Sequence, residues 1–448
     1  MPSTASEPPR PRVLAIAEEA NPEFVSVPLV GWSLAAALRE VADVHLVTQT
    51  RNRDAIARAG LVEGRDFTAI DSEAVARPLY TLATRLRGGT AKGWTTMQAV
   101  TSLSYPYFEW LVWRRFREEI AAGRYDIVHR ITPLSPTKPS LLAPRVGRAG
   151  VPFVLGPLNG GIPWPRGFEA ARRAEREWLS YVRGAYRWQP GFGATFRHAA
   201  AVIAGSRHTA AELPADCLGR TVYIPENAIM PKRFALPPRA EPGLPLRATF
   251  VGRLVPYKGC DMVIEAAAPL LAAGQLVLDI LGDGPEMPAL RAQVATLGLE
   301  AAVVFHGWQR HEDVQGIIVG SDLFAFPSIR EFGGAVVMEA MALGVAPLVA
   351  DYGGPPEAVT EETGFKVAMG SRAEIVAGVR RALEALIADP EHLLAVGRAA
   401  RARVHEKYTW SAKAEMVAAV YDRVLGRRPD WPRFFPEHAE EAAAGIDA

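Results

Sequence analysis

Short apolar runs alternate with longer stretches whose apolar residues recur every three or four positions, from one end of the chain to the other. RVLAIA at residues 12–17, VHLVT at 44–48, YDIVHRI at 125–131, VPFVLG from 151, AAVIAGS from 200 and TVYIP from 221 read as strands. None alternates cleanly between polar and apolar, which is the signature of strands buried on both faces of a parallel sheet. Between them, stretches such as WSLAAALREV at 32–41 carry helical spacing. The pattern restarts after residues 229–246, a Pro- and Arg-rich segment, with ATFVGRL, QLVLDILGDGP, AVVFHGW, LFAF and APLVA. Strands alternating with helices of this length predict an α/β fold with parallel sheets covered on both faces.

The expected organisation is a disordered lead-in at 1–11, a first domain at 12–228, a linker at 229–246 and a second domain at 247–409. A C-terminal helix at 410–426 would pack back on the first domain, and 427–448 would form a loose, Pro-broken tail. A length of 448 residues fits two cores better than one.

Composition narrows the function. Lys and Arg number 50 against 49 Asp and Glu, a balance that argues against a nucleic-acid partner. Cys217 and Cys260 lack metal-ligand or redox spacing. The apolar run at 13–17 is too short for a signal-peptide core, and no stretch has transmembrane length, so a cytoplasmic protein is expected. Residues 85–120 stand apart: Arg85, Arg87 and Lys92 precede a segment holding Trp94, Trp110 and Trp113. It reads either as a core helix with a basic end or as a segment resting on the inner face of a membrane, or on a lipid-linked acceptor. The Arg-rich helix after residue 165 is read as a solvated face, with contact to an anionic surface as the lesser reading.

Chemistry concentrates at 326–357, FPSIREFGGAVVMEAMALGVAPLVADYGGPPE, where a strand, a glycine turn, a helix and a strand follow in order. A glycine turn at a helix start lets anions approach backbone N–H groups, and acids beside it suit hydroxyls. Arg253 and Lys258 follow the first strand of the second half, two cations placed to neutralise a diphosphate. His129 sits near the end of its strand, either as a satisfied core group or at the ligand edge. No G-x-G-x-x-G occurs, which weakens a dinucleotide-binding reading.

The order GRLVPYKG (252–259), LGDGP (281–285), Glu331-x7-Glu339 and GGPPE (353–357) resembles the retaining GT-B glycosyltransferases of family 4, the glycosyl transferases group 1. DIVH, the strand ending at Ser206 and PENAI extend the resemblance loosely into the first half. It implies two Rossmann-like α/β/α domains with an interdomain cleft. It further implies transfer of a sugar, with retention, from a UDP- or GDP-sugar to a saccharide or lipid-linked acceptor in cell-surface polysaccharide or glycan synthesis. No cofactor is implied beyond the nucleotide-sugar co-substrate.

By position, Arg253 and Lys258 match the pair that grips the diphosphate, Glu331 the acid on the donor sugar and Glu339 the acid on the ribose. Gly334 matches a glycine whose amide faces the phosphates, the base lies near Gly307, and Gly252 and Gly282 complete the donor side. Gly31, in the first βα turn, with Asn159, Gly160 and Gly161, would serve the acceptor side, a packing glycine being the other reading of Gly31. His129 or Arg130 would assist catalysis, since Ile131 stands where relatives carry a second histidine. Phe332 replaces a family glycine, so Gly333 is expected to take over its role. The rival readings are a sugar-nucleotide epimerase or hydrolase of the same fold, a nicotinamide-dependent oxidoreductase, and a non-catalytic sugar-binding partner.

Overall fold

The computed structural model describes residues 9–78, 81, 104–174, 185–241 and 243–438. Two compact units divide the chain: residues 1–161, 177–226 and 410–448 make the first, and 162–176 with 227–409 make the second.

The first unit is built on a seven-stranded sheet of β1 (Arg12–Ala17), β2 (Asp43–Gln49), β3 (Phe67–Ile70), β4 (Ile127–Thr132), β5 (Phe153–Leu158), β6 (Ala199–Ala204) and β7 (Thr221–Tyr223). Their order across the sheet is β3-β2-β1-β4-β5-β6-β7, every pair parallel. The order reverses direction between β1 and β4, and a crevice opens at such a switch point at the strands' carboxyl ends.

Strand β4 is buried along its whole length, including His129 and Arg130. Beside it runs the helix Tyr105–Ala121, whose Tyr105, Phe108, Val112, Phe116 and Ile120 enter the core at three- and four-residue steps. This part of the aromatic segment is therefore a core helix, with Trp110 at its exposed flank. Residues 85–103, including Trp94, lie outside the described residues.

Glu109, on the core face of that helix, is fully buried and accepts hydrogen bonds from Tyr105 Oη (2.9 Å), Ser140 Oγ (2.6 Å) and the Leu141 amide (2.5 Å). Burial pushes its carboxyl up, and the Arg130 guanidinium opposes that shift. Arg130 donates to Lys138 O (2.8 Å) and lies 5.7 Å from the Tyr105 ring centroid.

The second unit carries the strands β8 (Leu246–Val251), β9 (Leu276–Leu281), β10 (Val303–Gly307), β11 (Leu323–Phe326), β12 (Ala346–Ala350) and β13 (Phe365–Val367). They form a six-stranded sheet in the order β10-β9-β8-β11-β12-β13, again with parallel pairs. Its switch point lies between β8 and β11.

Boundaries differ from the sequence reading in two places. The described residues of the 229–246 linker are held within the second unit: Ile229 donates to Tyr408 O (2.8 Å), Phe234 is buried, and Arg239 pairs with the buried Asp322 (2.7 Å). Residues 162–176, counted within the first domain, belong to the second unit, where Tyr352 Oη donates to Pro163 O (3.1 Å). In both, side chains from distant sequence capture a Pro-rich stretch whose local composition signals only irregular backbone. The helix Trp410–Val424 lies in the first unit, with Val417, Val420 and Tyr421 buried there.

Removing one partner from a buried charged cluster strands the other, so Glu109→Ala is expected to destabilise the first unit by about 3–5 kcal/mol. Urea unfolding of the variant, followed by circular dichroism, measures this; a loss under about 1 kcal/mol, the scale of an ordinary surface change, contradicts it.

Candidate donor site at the second switch point

The loop after β8 and the loop after β11 meet at close range. Gly259 ends the 3-10 turn Pro256–Lys258 with φ 78° and starts the helix Cys260–Ala272. A β-carbon there would stand 2.7 Å from Pro327 O, and the Ile329 amide donates to Tyr257 O (2.9 Å). Only glycine admits both the left-handed turn and the approach. This contact sets Lys258 against Glu331, which form an ion pair, each side chain mostly buried. The Lys258 ammonium also lies over the Phe326 ring, 5.1 Å from its centroid. Burial pulls its pKa down to about 8; the adjacent carboxylate acts in the opposite sense.

The turn after Glu331 is locked in the same way by residues 353–355. Gly354 N donates to Glu331 O (2.9 Å), and a β-carbon on Gly354 would lie 2.0 Å from Phe332 O. Gly334, at φ 58°, caps the helix Ala335–Ala342 against Pro355. The left-handed position is thus Gly334; Gly333 keeps an ordinary φ. Phe332 leaves the cradle unobstructed because its ring turns outward, 36% exposed, beneath the Arg330 guanidinium at 5.6 Å. Arg330 also covers Trp164 at 4.9 Å and donates to Ile162 O (3.4 Å), so it clamps residues 162–164 beside the turn. Neither Arg330 nor Trp164 was singled out from sequence, although Arg330 adjoins the first acid.

Glu339 rides on the helix that Gly334 starts, and burial pushes its carboxyl up to about 7, with Arg233 the opposing charge. Arg253 lies exposed just past β8. Gly252, Gly282 and Gly307 form a row across three strand ends: Gly252 N donates to Leu281 O (3.0 Å) and Gly282 N to Gly307 O (2.8 Å). Gly282, at φ 128°, leaves no room for a side chain, since its β-carbon would fall 2.0 Å from Gly252 O. Gly307 has φ 68° and open space around it. The second switch point therefore gathers two cations, two carboxylates, a helix N-terminus and a glycine-walled edge, a donor set suited to a phosphate-and-hydroxyl ligand.

The candidate residues of the first unit are placed differently. His129 lies in the core with both ring nitrogens engaged: its Nε2 donates to Gly156 O (2.7 Å), which leaves Nδ1 to accept from Tyr421 Oη (2.6 Å). Burial holds its pKa near 4, so the ring is neutral at pH 7. Gly31 lies inside the helix Val27–Leu38 rather than in the preceding turn, and its β-carbon would stand 2.1 Å from Glu19 O. It is a close-packing glycine. Asn159 donates its side-chain amide to the buried Glu226 carboxylate, while Gly160 O and Gly161 O accept from Thr209 Oγ1 and His208 Nε2, both at 3.2 Å. These groups are occupied within the fold. Among the described residues, no three His, Cys, Asp or Glu side chains gather to hold a metal.

The two parallel-sheet units are those of the GT-B fold. The sucrose-phosphate synthase of Thermosynechococcus elongatus superposes with a TM-score of 0.60 over 94% of this chain and 100% of that one, at 19% identity. Residues 237–403 match the family described as glycosyl transferases group 1. Among curated relatives, the 2-deoxystreptamine glucosyltransferase of Streptomyces kanamyceticus is 32% identical over 44% of this chain and 49% of its own length. The D-inositol 3-phosphate glycosyltransferase of Gordonia bronchialis is 36% identical over 41% of this chain and 42% of its own. The chain thus spans about half the length of the curated relatives it matches.

Because a diphosphate prefers the protonated ammonium, its binding is expected to weaken as pH rises from 7 to 9 through the Lys258 pKa of about 8. The steepest possible loss is about tenfold per pH unit. Calorimetric titration with UDP checks this, and Lys258→Met should bind more weakly with a flat profile over the same range. A wild-type profile as flat as that of the variant contradicts the assignment.

Proposed function

We propose that the protein is a retaining glycosyltransferase that moves a sugar from a UDP- or GDP-sugar to a hydroxyl of a saccharide or lipid-linked acceptor. The observation that carries this reading is the Lys258–Glu331 pair at the second switch point, beside the helix that Gly334 starts. With no ligand bound, ammonium and carboxylate satisfy each other. When a donor enters, Lys258 turns to the diphosphate with Arg253, and Glu331 is released to accept from sugar hydroxyls. Glu339 accepts from the ribose hydroxyls, and the glycine row Gly252, Gly282 and Gly307 lets the nucleoside lie against backbone.

Chemistry follows from where charge develops. The C1–O bond to the diphosphate breaks, with positive charge growing on the sugar ring and negative charge on the leaving phosphate. Lys258, Arg253 and the helix N-terminus stabilise that negative charge, in the role the reading assigns them without a metal. The acceptor oxygen attacks C1 from the face the phosphate leaves, and its proton passes to a phosphate oxygen, so the anomeric configuration is kept. No side chain is needed as nucleophile.

The acceptor belongs to the first unit, and relatives named for 2-deoxystreptamine and D-inositol 3-phosphate favour a polyhydroxylated one. Synthesis of a cell-surface polysaccharide or glycan at the cytoplasmic face of a membrane suits such chemistry. Peripheral contact with that membrane is supported by the flank of the helix Tyr105–Ala121, where Tyr107 stacks on Trp110 (5.8 Å) and Arg114 covers it at 5.0 Å. Among the described residues no helix is long and apolar enough to cross a membrane.

The test is a screen of UDP- and GDP-sugars by thermal shift, followed by transfer assays with the donor that binds. Glu331→Ala is expected to lower kcat by about 10²–10³-fold, the scale for losing one preorganised charge-stabilising group, with an unchanged circular dichroism spectrum. Wild-type turnover in that variant, or product of inverted anomeric configuration by NMR, overturns the proposal.

A further inference from the structure

The switch point of the first sheet holds a carboxylate that none of the chemistry above uses. Glu18 follows β1 directly and is only 8% exposed. Its main chain is tightly held: the carbonyl accepts from Asn52 Nδ2 (2.9 Å), Thr48 Oγ1 (3.3 Å) and the Gln49 amide (3.3 Å), all at the end of β2. Its neighbour Glu19 is bound on the other side, its amide donating to Thr132 Oγ1 (3.1 Å) at the end of β4. The dipeptide is thus tied to both flanking strands at the point where the strand order reverses.

The carboxylate itself accepts no hydrogen bond and forms no ion pair within 4 Å among the described residues. Its electrostatic neighbours come from the loops at three strand ends: Glu19 after β1, Arg51 after β2 and Lys138 after β4, with Glu109 beneath. Burial, reinforced by Glu19, pushes it up to about 7. Its oxygens are not among the fully buried atoms that lack a partner, so the head keeps a narrow contact with solvent, and a fixed backbone beneath such a head is how proteins hold a group ready for a ligand. One further feature marks this loop: Ser26, before the helix Val27–Leu38, has φ 63°, the left-handed value in the chain outside glycine among the described residues.

We infer that the Glu18 carboxyl binds a hydroxyl group of the polyhydroxylated acceptor, in the crevice at the carboxyl ends of β1, β2 and β4. This rests on the glycosyltransferase reading and adds to it a residue and a ligand chemistry. A hydroxyl suits the position because it can donate to the ionised carboxyl or accept from the protonated one. An ammonium would need full ionisation and would meet Arg51 and Lys138 nearby.

The experiment compares wild type with Glu18→Leu and Glu18→Gln, each loaded with UDP, by saturation-transfer NMR with myo-inositol, methyl α-D-glucopyranoside and 2-deoxystreptamine. Wild type is expected to bind a hydroxyl-only probe, and Glu18→Leu to weaken it about 10- to 100-fold, the value of one hydrogen bond to a charged group. Glu18→Gln should lose less, since its amide still bonds to hydroxyls. Without ligand, Glu18→Leu should unfold at the wild-type temperature or above it, because a carboxyl that burial disfavours in its charged form is gone. Equal polyol binding by wild type and Glu18→Leu overturns the inference, as does preference for 2-deoxystreptamine, failure of both hydroxyl-only probes to bind wild type, or a lowered melting temperature with unchanged binding. Failure of wild type to bind either UDP or GDP instead overturns the glycosyltransferase reading itself.

Discussion

Everything at the second switch point depends on backbone approaching backbone more closely than any side chain permits. The loops after β8, β11 and β12 stack through Gly259 on Pro327, Gly353 on Glu331 and Gly354 on Phe332, each a contact that a β-carbon would bring below 3 Å. That crowding places the Lys258 ammonium against the Glu331 carboxylate and fixes where the helix Ala335–Ala342 begins. A site for a charged ligand must be rigid before the ligand arrives, because any reorganisation would be subtracted from the stabilisation it offers. Glycine supplies that rigidity by removing side chains from between the loops.

The two switch points handle charge in opposite ways. In the second unit the opposing charges close on each other, and the cost that remains is desolvation of Lys258. In the first, the Arg130 guanidinium favours the charged form of Glu109 from a distance, and Glu109 spends its oxygens on Tyr105, Ser140 and the Leu141 amide. Glu18, one layer nearer the edge, receives nothing comparable. The same topology therefore yields one switch point whose charges pair with each other and one whose carboxylate has no ionic partner among the described residues.

Phe332 shows how a departure from a family pattern is absorbed. Its backbone stays in the crowded turn while its ring leaves for Arg330, and Arg330 in turn grips the 162–164 segment through Trp164 and Ile162 O. Residues that the chain places long before the second half thereby become part of the second unit. The substitution is compensated by an aromatic–guanidinium stack, not by a shift of the glycines.

Much of this was legible in the sequence, and for a local reason. Strands buried on both faces must be apolar throughout, and turns that admit no β-carbon must be glycine, so the αβ alternation and the GRLVPYKG, LGDGP and GGPPE turns stand out without any fold. The spacing of Glu331 and Glu339 is likewise a property of one helix. What the tertiary structure alone decided concerns groups whose meaning comes from distant partners. His129 and Asn159 carry ligand-like chemistry in sequence, yet Tyr421 and Glu226 occupy them. Gly31 reads either as a turn glycine open to a ligand or as a packing glycine until Glu19 O appears beside it. Glu18 reads as ordinary loop polarity because its burial arises from β2 and β4, more than a turn of sequence away. Chain order encodes periodicity and turn chemistry, but whether a polar side chain is satisfied or waiting is settled only when non-local neighbours close around it.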